Sequence, residues 1–191
     1  MTREDGARMD QAVIRAMTKW PAVSAVYGWL ALDERGNWQL RNPGTDVFGR
    51  IGNAALREFI CRNYARDARG GWFFQNGPQR VYVRLACAPL VFRLEGERFV
   101  DHCGRPSGPL NGAWRDERGA LILAAASEIG NLDDRDLLAA TDLIDDSGAT
   151  AWFDCVAGRV PLGSILRADL PAKFGFVRDP RPDPPASAKS G

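Results

Sequence analysis

From Arg80 onward the chain alternates between apolar and polar residues. Val81, Val83 and Leu85 fall on one side of an extended segment, and Arg80, Tyr82 and Arg84 on the other. That period of two predicts a strand with one face in the core and a cationic stripe around a tyrosine on the other. Just upstream, Trp72-Phe73-Phe74 suits a half-buried strand. Asn76-Gly77-Pro78 predicts the turn between the two, because Asn and Gly tolerate positive φ and Pro interrupts a ladder. Asp10 to Lys19 predicts an amphipathic helix with Val13, Ile14 and Met17 on one side, stopped by Pro21. Val26 to Leu32 and Trp38 to Leu40 predict a hairpin closed by Asp33-Glu34-Arg35-Gly36-Asn37. Asn53 can cap a helix running to about Arg66, with Leu56, Phe59, Ile60 and Tyr64 as its apolar side. Asn63 falls on that same side, so its amide needs a buried partner, expected in the turn around Gln75 to Gln79. Arg80 to Ala86 and Leu90 to Glu95 predict a second hairpin around Ala88-Pro89, which would add Arg93 to the stripe; Arg98 to Asp101 adds a short strand.

The pattern then returns. Asp116-Glu117-Arg118-Gly119 repeats Asp33 to Gly36 after 83 residues, Ile129-Gly130-Asn131 repeats Ile51 to Asn53 after 78, and Trp152-Phe153 repeats Trp72-Phe73 after 80. Three matches in one order at nearly one offset predict an internal duplication, too widely spaced for a solenoid. A helix is expected between the second and third, over Asp134 to Ile144, with Leu137, Leu138, Ala140 and Ile144 as its apolar side. Ser164 to Asp169 predicts a short helix and Phe174 to Val177 a last strand. The expected fold is α+β: two similar β-hairpin–helix–sheet units, mainly antiparallel, each sheet packed with a helix. The expected divisions are an N-terminal helix in 1–20, a first unit in 21–105, a second in 106–178, and a disordered proline-rich tail in 179–191.

With 191 residues, 45% of them hydrophobic, the chain can bury a real core. The net charge of +1 argues against a generic nucleic-acid or membrane polycation. Its distribution is uneven. Residues 50–84 carry seven Arg against Glu58 and Asp67, whereas residues 128–146 carry seven acids against Arg135. The halves could attract each other, or the basic one could offer an anion site. Cys61, Cys87, Cys103 and Cys155 are scattered with no ligand spacing, the N-terminus lacks a signal-peptide core, and no apolar run is long enough to span a bilayer. A cytoplasmic protein with reduced thiols is expected.

Candidate chemistry is sparse. Asp101-His102-Cys103 contains the sole histidine, but neighbours in sequence rarely converge on one substrate atom. One His and four dispersed Cys make no zinc pattern, and Asp142, Asp145 and Asp146 match no calcium loop. There is no nucleophile elbow, phosphate loop or dinucleotide fingerprint. No metal or cofactor is therefore expected. The amides and cations of Asn63, Gln75, Asn76, Gln79, Arg80, Tyr82 and Arg84 nominate a ligand-binding groove, since Arg beside an aromatic ring suits a carboxylate, a phosphate or an acidic peptide. The leading expectation is a non-enzymatic binding or regulatory module for an anionic ligand or a protein partner. The alternative is a small enzyme acting on an anionic substrate, with His102 or a carboxylate pair as acid–base, whose discriminator is a deep pocket holding His102 or paired acids beside the arginines. RNA binding through the basic half is a third possibility, and the near-neutral charge counts against it.

Lys19-Trp20-Pro21, Tyr27 to Asp33, Arg62-Asn63-Tyr64-Ala65 and Trp72 to Val83 resemble a proteobacterial family of unknown function, and Ile129-Gly130 with Asp133 to Leu137 resembles its second signature. The likeness spans residues 19–178. The hairpin, helix and aromatic-turn layout is also similar to a second such family, two-domain α+β proteins with repeated motifs and a suggested signalling role. That resemblance implies a duplicated fold and supplies no catalytic residues.

Overall fold

The computed structural model describes residues 9–126 and 128–182. After helix α1 (Gln11–Lys19), β1 (Val26–Leu32) and β2 (Trp38–Arg41) form the expected hairpin, followed by β3 (Phe48–Arg50) and α2 (Ala54–Arg62). Then come β4 (Tyr64–Arg66), β5 (Trp72–Asn76) and β6 (Gln79–Leu85). Together they make a six-stranded sheet of order β3-β2-β1-β6-β5-β4, antiparallel except where β1 meets β6. β7 (Leu90–Glu95) and β8 (Arg98–Asp101) precede β9 (Leu110–Arg115), β10 (Leu121–Ala125) and β11 (Glu128–Leu132). A 3-10 turn at Asp134–Asp136 runs into α3 (Leu137–Thr141), then β12 (Ile144–Asp145), β13 (Trp152–Cys155) and β14 (Gly158–Ser164). A 3-10 turn at Arg167–Asp169 and α4 (Leu170–Phe174) close the list of elements.

The second sheet runs β12-β13-β14-β9-β10-β11-β7-β8. Read from β11 back to β12, it repeats the first sheet strand for strand, with β9 and β14 parallel where β1 and β6 are parallel. The duplication expected from three short matches is thus a duplication of topology. β7 and β8 are the addition, docked parallel to β11 through β7.

One turn is used four times. At Asp33, Asp67, Asp101 and Asp116 a carboxylate Oδ1 accepts the amides two and four residues on, and a glycine three residues on takes positive φ. Asp bonds its own backbone in this way, and Gly adopts the left-handed conformation at little cost. A continuous core then takes side chains from both sheets, among them Trp38, Tyr64, Phe92, Phe99, Leu123 and Phe153.

Several local expectations are corrected. Strand β6 does not form a hairpin with β7. It lies between β1 and β5, and the chain crosses to the other sheet through residues 86–89. Arg93 therefore leaves the stripe and pairs with Asp136 at 2.6 Å. Nor is the second face of β6 a solvent surface. Tyr82 is buried in a small cluster with Met9, Ala65 and Phe73, which Ile14 and Met17 of α1 cover. α2 ends at Arg62, with Asn63 as its C-cap, so Tyr64 enters the core from a strand. The helix expected over Asp134 to Ile144 is shorter, because the Asp133 side chain caps a 3-10 turn; Leu138 is exposed and Ile144 is in β12. The last helix spans Leu170–Phe174, and Val177 makes only a single bridge to Gly71. Among the acids of 128–146, Asp134 pairs with Arg35 and Asp145 with Arg159, while Glu128 lines a hollow shared with Arg66 of the basic stretch. Most of the expected tail, and the first eight residues, lie outside the described residues.

Candidate functional site

A cavity of about 540 Å³ opens where α2, the end of β3, the β1–β2 turn and the turn after β8 meet. α2 contributes Ala54, Arg57, Glu58, Cys61 and Arg62, a single stripe at helical spacing. The turn after β8 contributes His102, Cys103 and Arg105. Its shape comes from Asp101, whose Oδ1 accepts the amides of Cys103 and Arg105 at 2.8 and 2.9 Å. The Arg105 Nε donates to the other oxygen at 2.7 Å. Gly36 lets the β1–β2 turn close over this one: a Cβ there would come within 2.6 Å of the His102 Cβ.

The imidazole of His102 sits against the rings of Trp38 and Tyr64, with centroids 5.2 and 5.7 Å away. Its Nδ1 accepts the Val91 amide at 3.3 Å, so the neutral ring carries its proton on Nε2. That Nε2 is shielded from solvent and has no partner. Burial pushes the pKa of His102 down to about 4, because a charged ring would lose its hydration. The Arg105 Nη2 is likewise buried and without a partner. Arg57 is held by the carbonyls of Ile51 and Gly52, and Arg62 pairs with Asp10 at 3.2 Å. Among the described residues Arg50 has no carboxylate partner. The cavity lining is therefore four arginines and a neutral imidazole donor, set against the single carboxylate of Glu58. That arrangement offers donors to an anion.

Two thiols complete the wall. The Cys61 Sγ receives the Trp38 Nε1 hydrogen bond at 3.3 Å and lies 3.9 Å from the carbonyl oxygen of His102. Its interaction with the Cys103 thiol lowers its pKa, and Trp38 adds to this. Burial raises that of Cys103, and Cys61 raises it further. Among the described residues no cluster of three or more His, Cys, Asp or Glu is placed to hold a metal.

The seven residues nominated from sequence lie elsewhere. Asn63 is fully buried; its amide bonds Asp10 and the Phe59 carbonyl. Gln75 is buried, and its Nε2 donates to Gly77. The two touch only through a backbone hydrogen bond from Gln75 to the Asn63 carbonyl, at 2.9 Å. Asn76 is exposed, and Gln79 reaches the Ser24 carbonyl. Arg84 lies over the Phe48 ring. Arg80 and Tyr82 do share a hollow, of about 220 Å³, with Arg66, Asp67, Arg69 and Phe73. Within it the Tyr82 hydroxyl donates to Asp67 at 2.6 Å. The larger cavity's arginines and Cys61 escaped the sequence reading. Their signal was the polar stripe at 54, 57, 58, 61 and 62, opposite the apolar face of the same helix.

A family model described as "Protein of unknown function (DUF2946)" matches residues 9–181. A DUF1285 family protein from Silicibacter pomeroyi DSS-3 is similar in structure, with a TM-score of 0.54 at 15% identity over 83% of this chain and 92% of that one. A DUF1285 family protein from Shewanella baltica OS155 aligns over 59% of this chain and 90% of that one, at 12% identity and a TM-score of 0.39. The first of these likenesses is one of fold. No curated protein matches the chain.

Proposed function

The chain belongs to the family described as a protein of unknown function (DUF2946), and from that premise we propose that it is a non-enzymatic binding module for a small anionic ligand. The ligand, a carboxylate or phosphate, would occupy the arginine-lined cavity beside α2. One observation carries this reading: two buried donors, His102 Nε2 and Arg105 Nη2, lack partners on the wall of one cavity. A buried unsatisfied donor costs about 1–3 kcal/mol, and more when charged. A ligand oxygen that reached either donor would recover that cost. The same geometry speaks against the enzyme alternative. His102 lines a pocket beside arginines, yet its Nδ1 lone pair faces the Val91 amide and its pKa is near 4, so it donates without accepting a proton near neutrality.

Isothermal titration calorimetry with inorganic phosphate, pyrophosphate and citrate tests the reading. At least one should bind, more weakly as salt rises. Arg50→Gln should weaken it about fivefold to tenfold with Tm unchanged, the loss of one exposed charge. Arg80→Gln should leave it intact. Absence of binding by all three anions, or binding lost in Arg80→Gln and kept in Arg50→Gln, would sink it.

A further inference from the structure

We propose that Cys61 and Cys103 form a dithiol that exchanges with anionic low-molecular-weight disulfides drawn into the arginine-lined cavity. This rests on the anion-pocket reading and names a substrate class for it. The two cysteines are 42 residues apart in the chain, one on the last turn of α2 and the other in the turn after β8, yet both line the cavity and their thiols interact. The Cys61 sulfur lies 3.9 Å from the carbonyl oxygen of His102, the residue preceding Cys103.

The surroundings sort the pair into roles. Cys61 is partly exposed; its hydrogen bond with the Cys103 thiol favours the anionic form most, the Trp38 indole N–H adds to this, and the charges of Asp101 and Arg105 oppose each other there. A partly exposed thiolate stabilised by hydrogen bonds is the attacking kind. Cys103 is the resolving partner; burial raises its pKa most and the neighbouring Cys61 raises it further, and that second contribution ends once Cys61 is in a disulfide. The remaining cysteines are not placed for this. Burial holds Cys87 up at about 11, and it also raises Cys155; neither lines the cavity.

The chemistry balances without another reagent. The Cys61 thiol yields its proton to solvent, and its thiolate attacks one sulfur of R–S–S–R. A Cys61–S–S–R bond forms, the original S–S bond breaks, and RS⁻ leaves and takes up a proton. Cys103 then loses its proton and attacks the Cys61 sulfur, releasing the second RS⁻, which is also protonated. Two protein thiols lose two electrons to one disulfide, and two RSH result. Arg50, Arg57, Arg62 and Arg105 favour an R group bearing carboxylates over a neutral or cationic one.

The test incubates the reduced full chain with glutathione disulfide, neutral 2-hydroxyethyl disulfide or cationic cystamine, and reads intact mass and linked peptides after acid quench. Rates are normalised to each reagent's rate with N-acetylcysteine. The expected result is a Cys61–Cys103 linkage, formed about tenfold faster with glutathione disulfide than with cystamine, a preference that Arg50→Gln reduces. Cys103→Ser should stop at a glutathionyl adduct on Cys61, and Cys61→Ser should form none. Rates indifferent to charge, a linkage through Cys87 or Cys155, or a Cys103→Ser protein that traps no adduct would overturn the proposal. Phosphate calorimetry on the same reduced protein separates the two readings. Phosphate binding without exchange removes the dithiol alone, whereas charge-indifferent exchange without phosphate binding removes the anion pocket as well.

Discussion

Burial holds the His102 imidazole near pKa 4, whereas in an unfolded chain it titrates at about 6.5. Between those values the unfolded chain binds a proton that the folded chain does not. Stability therefore rises with pH across the window and is lost as pH falls from 6.5 toward 4. Between pH 7 and pH 4.5 the loss amounts to about 2–3 kcal/mol. Unfolding free energies from urea titrations at pH 7 and pH 4.5 should differ by that much in the native protein, and by clearly less in His102→Gln. An equal difference in both would show that other groups carry the acid sensitivity. At this scale the sequence was informative about turns and silent about charge states. The Asp-x-x-Gly turns at Asp33 and Asp116 could be read directly, because an Asp bonding its own backbone needs only a few neighbours. The neutrality of His102 could not, because it depends on Trp38, Tyr64 and Val91, none of them within ten residues of it.

Strand β6 and helix α1 carry the argument at the next level. The alternation from Arg80 to Leu85 assigned the core face correctly, since Val83 and Leu85 are buried. It could not say what covers the other face. There α1 lies over Tyr82, whose ring stacks on Tyr27 at 4.6 Å. Tyr82→Ala should thus cost about 3 kcal/mol in urea unfolding, the cost of truncating a buried aromatic. Arg80→Ala should cost under about 1 kcal/mol, since its guanidinium rests on the Phe73 ring at the edge of this cluster. A Tyr82→Ala protein as stable as its parent would contradict the burial. Asn63 anchors the start of α1, accepting the Asp10 amide at 2.9 Å and donating to the Asp10 carboxylate at 3.3 Å. Asn63→Ala should therefore raise hydrogen exchange in α1 ahead of the sheets, because the helix loses its tether while both sheets keep their cores. Uniform acceleration across the chain would contradict a local role.

For the molecule as a whole, the repeated Asp-Glu-Arg-Gly turns are one place where the two units meet. The buried Arg167 donates to Asp116 at 2.9 Å and to Glu34 at 2.6 Å, and its backbone amide bonds Glu117. One side chain, in the 3-10 turn after β14, thus holds the equivalent turns of both units. Asp116 is buried and depends on that charge, whereas Glu34 is half exposed and contributes little. Arg167→Leu should cost about 3–5 kcal/mol by leaving a buried carboxylate unpaired. Adding Asp116→Asn should recover part of the loss, and a strictly additive double mutant would show that the pair does not couple. The family match and the shared fold of the Silicibacter pomeroyi protein concern this level of organisation, the arrangement of strands, and assign no chemistry to the cavity.

The sequence by itself determined strands β1, β2, β5, β6, β7 and β8, the Asp-x-x-Gly turns at Asp33 and Asp116, the Asn53 cap and the doubling of the unit, because these depend on periodicity and on backbone preferences within a few residues. Only the tertiary structure decided which faces were covered and which were open. Strand β7 joined the second sheet, α1 covered Tyr82, and α2 brought Arg57, Cys61 and Arg62 against His102 and Arg105. Each of these choices buries a whole face at once, so it depends on all the residues of two elements together. No local pattern contains that sum, and the cavity could be seen only once both sheets were packed.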